Sequence, residues 1–190
     1  MEAPIDLLKK FGLLEEPVQA RLKRLLRTSY HKKGELLVRP DDIAQRIYFI
    51  ESGIIRGYRF KGKTECTFYF LVEGDVFVSV RSFFTQMPAK EYCECMEDCV
   101  LYSISYEELK YTYEKFPSFN LQRAELLQKY YLLSIEREDM HQLGAFGRYC
   151  FLMENQPSLM NRIEDKYLAS YLNIAKSTFS RCKRKYAKRS

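Results

Sequence analysis

Between Ser29 and Ser105 the chain is punctuated so often that it has little choice of architecture. "GELLVRPDD", "QRIYFIESGIIRGYRF" and "TECTFYFLVEGDVFVSV" are short runs rich in β-branched and aromatic residues, broken at Gly34, Pro40, Ser52-Gly53 and Gly62. "YCECMEDCVLYSIS" supplies further strands. Turn signals that recur about every ten residues indicate an antiparallel roll or sandwich.

Helical patterns flank this region. Residues 5–14 and 17–27 read as two short helices, with Leu22, Leu25 and Leu26 at helical spacing. "SYEELKYTYEKFP" opens on a capping pattern, Ser105 followed by Glu108, and ends at Pro117. "SFNLQRAELLQKYYLLSIEREDMHQL" is the longest helical pattern. Leu121, Ala124, Leu127 or Gln128, Tyr131 and Ile135 repeat every three to four residues, and Leu126, Tyr130 and Leu133 widen the apolar surface. Such a helix packs against its own roll and a second copy of itself, or is wholly buried within one subunit. A helix over about 145–154 follows, and Pro157 starts a loop. The expected class is α+β. The expected division is an effector-type roll over residues 1–118, a long helix over 119–143 and a third unit over 144–190.

Of the 190 residues 46% are hydrophobic and 29% charged, the profile of a folded protein rather than a disordered one. No apolar run is long enough to span a bilayer, and "MEAPIDLLKKFG" lacks the apolar core of a secretory signal, so a cytoplasmic location with no membrane partner is expected. The six cysteines are then reduced thiols. From residue 161 to the end there are nine Lys and Arg against two acids, a net +7, while the remaining chain carries 22 basic and 23 acidic residues. The whole excess of positive charge sits where a phosphate-binding unit or a solvated basic tail would place it.

That basic segment is "KYLASYLNIAKSTFSRCKRKY", residues 166–186. Glu164-Asp165 can cap a helix through Leu172 whose apolar face is Tyr167, Leu168, Tyr171 and Leu172, and Ala169 lets another helix cross closely. Asn173 tolerates the left-handed backbone that a sharp turn requires. A second helix then begins near Lys176 or Ser177. On it Ala175, Phe179, Cys182 and Tyr186 point together into a core, while Lys176, Ser177, Ser180, Arg181 and Arg184 cluster on a different face. A nucleic-acid reader needs this division, because one side anchors while the other reaches a groove. Arginine forks two hydrogen bonds to a guanine edge, and Ser, Thr and Lys hold phosphate oxygens. A surface helix with a solvated basic face is the plainer alternative.

Taken in order, "IYFIESGIIRGYRF", "TFYFLVEGDVFVS" and "KYLASYLNIAKSTFSR" resemble the Crp/Fnr family of bacterial transcription regulators as it reads in Bacteroidetes-type sequences, over roughly residues 7–186. The resemblance implies a cyclic-nucleotide-binding-type β-roll of the double-stranded β-helix or jelly-roll type, a long dimerisation helix and a (winged) helix–turn–helix. It implies a homodimer on a roughly palindromic double-stranded DNA site, with RNA polymerase as a further partner. Carried over by position, Lys176, Ser177 and Arg181 become base readers and Thr178 and Ser180 phosphate contacts, with Lys183, Arg184 and Lys185 adding phosphate charge. Many members have glutamate where this chain has Ser177, so its base preference is expected to differ.

Members that bind cyclic AMP follow a Gly-Glu pair with an Arg-Ser that grips the cyclic phosphate. Here Gly74-Asp75 stands at the first pair, and the Arg-Ser positions fall near Ala89 and Lys90 in "PAKEY", which has no arginine. Gly74, Asp75, Arg81 and Lys90 are the candidate pocket residues. Without a guanidinium fork in place, the expected effector is a small molecule other than cyclic AMP, or none, and no cofactor is called for. Cys93, Cys95 and Cys99 match no zinc or cluster spacing and read as small core residues. His31 and His141 are isolated, and no nucleophile-and-base set is visible, so an enzyme is not expected. The competing function is a ligand-binding roll whose C-terminal unit docks a protein and not DNA.

Overall fold

The computed structural model describes residues 3–188, so Arg189 of the basic terminus lies outside the described residues. Eight strands follow one another in the described chain: β1 (Arg27–His31), β2 (Leu36–Val38), β3 (Arg46–Ser52), β4 (Ile55–Lys61), β5 (Thr64–Leu71), β6 (Val76–Phe77), β7 (Tyr92–Cys95) and β8 (Cys99–Ser105). They form two four-stranded sheets in the orders β1-β8-β3-β6 and β2-β7-β4-β5. Only β4 and β5 are neighbours both in sequence and in a sheet, an interleaving that defines a jelly roll. β8 is paired on both sides, antiparallel to β1 (Thr28 opposite Tyr102) and to β3 (Ile47 opposite Ile104). The expected antiparallel roll is therefore the fold.

Strand alternation decides what fills the roll. On β7 Cys93 and Cys95 share the inward face and are fully buried; Cys99 and Leu101 of β8 are buried as well. All six cysteines are free thiols. The β3–β4 turn lies so close to β8 that a side chain on Gly53, whose φ is +106°, would overlap the Cys99 sulfur. "DVFVSV", the end of a β-rich run above, stops being a strand after Phe77 and turns into helix α3 over Val80–Thr85. Burial explains the change: Ser82 is buried and its hydroxyl accepts from the Ala44 amide at 2.9 Å, while Phe83 is 1% exposed.

The N-terminal helices are α1 (Ala3–Lys9) and α2 (Glu16–Leu25). Helix α4 (Tyr106–Lys115) carries the expected capping box, with the Ser105 hydroxyl accepting from the Glu108 amide and the Glu108 carboxylate accepting from the Ser105 amide at 3.1 Å. A single 3-10 turn, Pro117–Phe119, leads into the long helix α5 (Asn120–Gln142). Leu121, Leu127, Tyr131, Leu132, Leu133 and Ile135 of α5 are exposed, which removes the alternative of a helix wholly buried in one subunit. Four helices follow: α6 (Ala145–Asn155), the short α7 (Leu159–Arg162), α8 (Asp165–Tyr171) and α9 (Lys176–Ala187). α7 replaces part of the loop expected after Pro157. No strand follows β8 among the described residues, so the expected wing is not formed there.

The chain gathers into two compact units. One holds the described residues up to Tyr58 together with Phe70–Gln128; the other holds Arg59–Tyr69 and the chain from Lys129 onward. Among the described residues no helix is long and apolar enough to cross a membrane.

Candidate nucleic-acid interface

In the second unit α8 and α9 are joined by the turn 172–175. Asn173 takes φ 51°, the left-handed conformation that its side chain tolerates. The Asn173 amide donates to the Ser170 carbonyl and the Ile174 amide to the Ala169 carbonyl, both at 3.0 Å, the paired bonds that close a helix on a left-handed residue. Leu168, Ala169, Tyr171 and Leu172 are buried, whereas Tyr167 is only half-buried. Glu164 is the N-cap of α8 and Asp165 lies in its first turn, as expected, but the Glu164 side chain makes no capping hydrogen bond. Their carboxylates take lysines instead, Glu164 pairing with Lys166 and Asp165 with Lys183, each at 3.1 Å.

Helix α9 is held by Phe179, fully buried, and Cys182, 6% exposed. Tyr149 of α6 meets both Phe179 and Tyr186, ring centroids 5.3 and 5.6 Å away. Burial pushes the Cys182 thiol up, as befits a core residue. Ala175, expected in this core, is exposed, because it is the extended N-cap residue (φ −66°, ψ 147°) and not yet helical.

The opposite face carries the candidate contacts. Lys176, Ser177, Arg181, Lys183, Arg184 and Lys185 are exposed, and Thr178 and Ser180 are half-buried. Lys176, Ser177 and Thr178 form the first turn of α9, where amides without helical partners and the positive end of the helix dipole favour an anion. Several of the side chains are already engaged. Arg181 donates to the Thr178 hydroxyl at 3.0 Å, Ser180 donates to the Lys176 carbonyl at 3.1 Å, and the Lys185 ammonium stands 4.2 Å from the Phe146 ring centroid. The Lys183 ammonium is bound to Asp165. Lys176, Ser177 and Arg184 are left as the most open members of the set.

Two contacts of this unit had no counterpart in the sequence pattern. Ser170 of α8 accepts from the Thr67 amide at 2.9 Å and donates to the Glu65 carbonyl at 2.8 Å, so the hairpin residues 59–69 are tied to α8. Arg148 of α6 bonds backbone carbonyls at the ends of both α5 and α8. Neither shows in a local motif, since the partners of Ser170 lie about a hundred residues away.

The candidate pocket residues of the roll fall apart into separate places. Gly74 and Asp75 form a turn, with the Asp75 carboxylate accepting from the Val72 amide at 3.1 Å, and both line a cleft of about 140 Å³ with Pro4, Leu7 and Tyr102. Arg81 is exposed on α3 and Lys90 is exposed before β7; neither lines that cleft. Near where the resemblance puts the Arg-Ser pair, Ala89 is buried, its amide donating to the Asp42 carbonyl and its carbonyl accepting from the Asp41 amide. The arginine that does enter the roll is Arg56 of β4, fully buried, 4.0 Å from the Tyr58 ring centroid and 3.8 Å from a Glu94 carboxylate oxygen. The sequence reading passed over it, although an arginine flanked by Ile54, Ile55, Gly57 and Tyr58 in a strand pattern was a visible signal.

The fold and site together define a class: a jelly roll followed by a long helix and a helix–turn–helix with a basic outer face. Residues 28–116 match the family model of the cyclic nucleotide-binding domain. Among solved structures the chain is similar to FixK2 from Bradyrhizobium japonicum (16% identity, 86% of this chain and 85% of that one, TM-score 0.74). It is also similar to the regulator CLP of Xanthomonas campestris (17%, 92% of each chain, TM-score 0.69). A third is a structure from Eubacterium rectale assigned to the crp/fnr family of transcriptional regulators (19%, 93% and 85%, TM-score 0.70). No curated protein sequence matches the chain. The chain thus has the fold seen in the Crp/Fnr-type regulators, and the family-model match covers its jelly roll.

Proposed function

We propose that the protein is a sequence-specific, double-stranded-DNA-binding transcription regulator of the Crp/Fnr type. It acts in the cytoplasm as a homodimer on a roughly palindromic site, with RNA polymerase as a further partner. The observation that carries this reading is the split of α9: Phe179 and Cys182 are buried while Lys176, Ser177, Arg181 and Arg184 face outward, at the end of a fold shared with regulators. The uncovered apolar face of α5 supports the dimer. In this reading Lys176, Ser177 and Arg181 read bases, Thr178 and Ser180 hold phosphates, and Lys183, Arg184 and Lys185 add charge to the phosphate grip.

The effector of the roll, in the same reading, is a small molecule other than cyclic AMP. Ala89 and Lys90 supply no guanidinium fork where cyclic-AMP binders grip the phosphate, and related folds differ in what they answer to: CLP is described as responsive to c-di-GMP. Selection of binding sites from a random DNA library tests the whole proposal. A two-fold symmetric motif is expected, Arg181→Ala relaxes it at one position of each half-site, by about 1–3 kcal/mol, and added cyclic AMP leaves affinity unchanged. No enrichment at low salt overturns DNA reading in favour of a C-terminal unit that docks protein.

A further inference from the structure

We infer that Arg148 is the positioning residue that fixes the distance between the two recognition helices of the dimer, and so the half-site spacing it accepts. This rests on the DNA-reading function proposed above. The Arg148 guanidinium makes four bonds, all to backbone carbonyls: Nε to Leu143 at 2.9 Å, Nη2 to His141 at 2.8 Å, and Nη1 to Leu172 at 3.0 Å and Asn173 at 3.3 Å. The first two belong to the end of α5 and the residue that follows it. The other two belong to the end of α8 and the turn that aims α9. One side chain thus joins the helix proposed to carry the dimer to the turn that presents the reader.

The chemistry suits arginine and no other residue. The last carbonyls of a helix lack helical partners and carry partial negative charge, and here two such ends converge on one cation. A planar guanidinium offers five donors in a fixed fork and reaches carbonyls on both sides; an ammonium offers three from a single point. Arg148 pairs with no carboxylate among the described residues, so its charge is directed wholly at the two helix ends. The surroundings leave little play. A side chain on Gly147 would come within 3.1 Å of the Leu143 Cβ, and Tyr149, 2% exposed, packs on Phe179 of α9. Neighbouring residues of α6 therefore hold different partners: Tyr149 grips the recognition helix and Arg148 grips the end of α5.

None of these bonds touches the base-reading face, so the sequence read and the spacing accepted are separable properties. Palindromic half-sites lie about one helical turn apart, and a dimer selects that spacing only if the junction between dimer helix and reader is stiff. The test is site selection with libraries carrying two half-sites at varied spacing, using the full chain and the variants Arg148→Met and Arg148→Lys. Wild type is expected to enrich a single spacing. Arg148→Met is expected to enrich the same half-site sequence over a broadened range of spacings, with affinity at the wild-type spacing lowered about tenfold. Arg148→Lys, which keeps the charge and perturbs folding least, should broaden the range as well.

A single enriched spacing with wild-type affinity in both variants overturns the inference while DNA reading stands. Loss of the half-site sequence preference along with the spacing also overturns it, since the role would then be merely structural. If wild type itself enriches no DNA, the functional proposal falls and this inference with it.

Discussion

Asn173 shows how much one backbone conformation can determine. Its left-handed turn aims α9, and asparagine pays little for a φ of 51°. Asn173→Gly is expected to keep stability within about 0.5 kcal/mol, whereas the β-branched Asn173→Val should cost about 1–2 kcal/mol in thermal unfolding. His141 makes a second residue-scale prediction. Its Nδ1 is buried without a hydrogen-bond partner, and burial first, then Arg148 and Arg137, hold its pKa below the ordinary 6.5. The folded state therefore keeps it neutral where the unfolded chain would protonate it. Its contribution to stability is present above pH 6.5 and is lost as pH falls through the lower folded value. Denaturant midpoints measured downward from pH 7 should show this decline, and His141→Gln should reduce it. Asn173 was legible in the sequence because a turn between two amphipathic segments demands such a residue. Arg148 was not, because its carbonyl partners are backbone groups up to 25 residues away, which no side-chain pattern announces.

At the scale of elements, periodicity foretold most of what formed. The Ser105–Glu108 box, α5 and the pair α8 and α9 stand within a few residues of their sequence readings, because each combines a capping or turn residue with an apolar stripe. α3 was missed because "VFVSV" has strand propensity, and only the burial of Ser82 and Phe83 turns it helical, a tertiary effect invisible to local reading. The roll's order of strands was equally out of reach, since seven of the eight strands meet partners distant in sequence and only the class could be inferred. α5 carries its own prediction. Tyr131 and Leu132 are 67% and 51% exposed on a helix whose apolar face is left open among the described residues. Tyr131→Glu and Leu132→Glu, which place carboxylates in the proposed dimer seam, should weaken self-association about 100-fold or more by sedimentation equilibrium. The melting temperature of the roll should change little. An unaltered dimer would move the interface off α5.

For the molecule as a whole, charge is distributed by task. The chain's net +6 is concentrated in the last thirty residues, while the rest is nearly neutral. DNA affinity should therefore fall steeply with salt, and Lys176→Ala or Arg184→Ala should each lower the slope of log K against log salt by about one. Lys183→Ala should change it less, because that ammonium is already bound to Asp165. A slope near zero in the wild type would mean that phosphates are not the partner.

The hairpin tied to Ser170 has a consequence for how this chain can be taken apart. Residues 59–69 are synthesised some hundred positions before the α8 serine that accepts from their Thr67 amide and donates to their Glu65 carbonyl. A fragment that begins at α5 would lack them, so the pair α8 and α9 cannot be lifted out as a cassette and grafted behind another roll. Any chimera that keeps α8 intact must bring this hairpin with it, so the compact unit that holds α8 is not one continuous stretch of sequence.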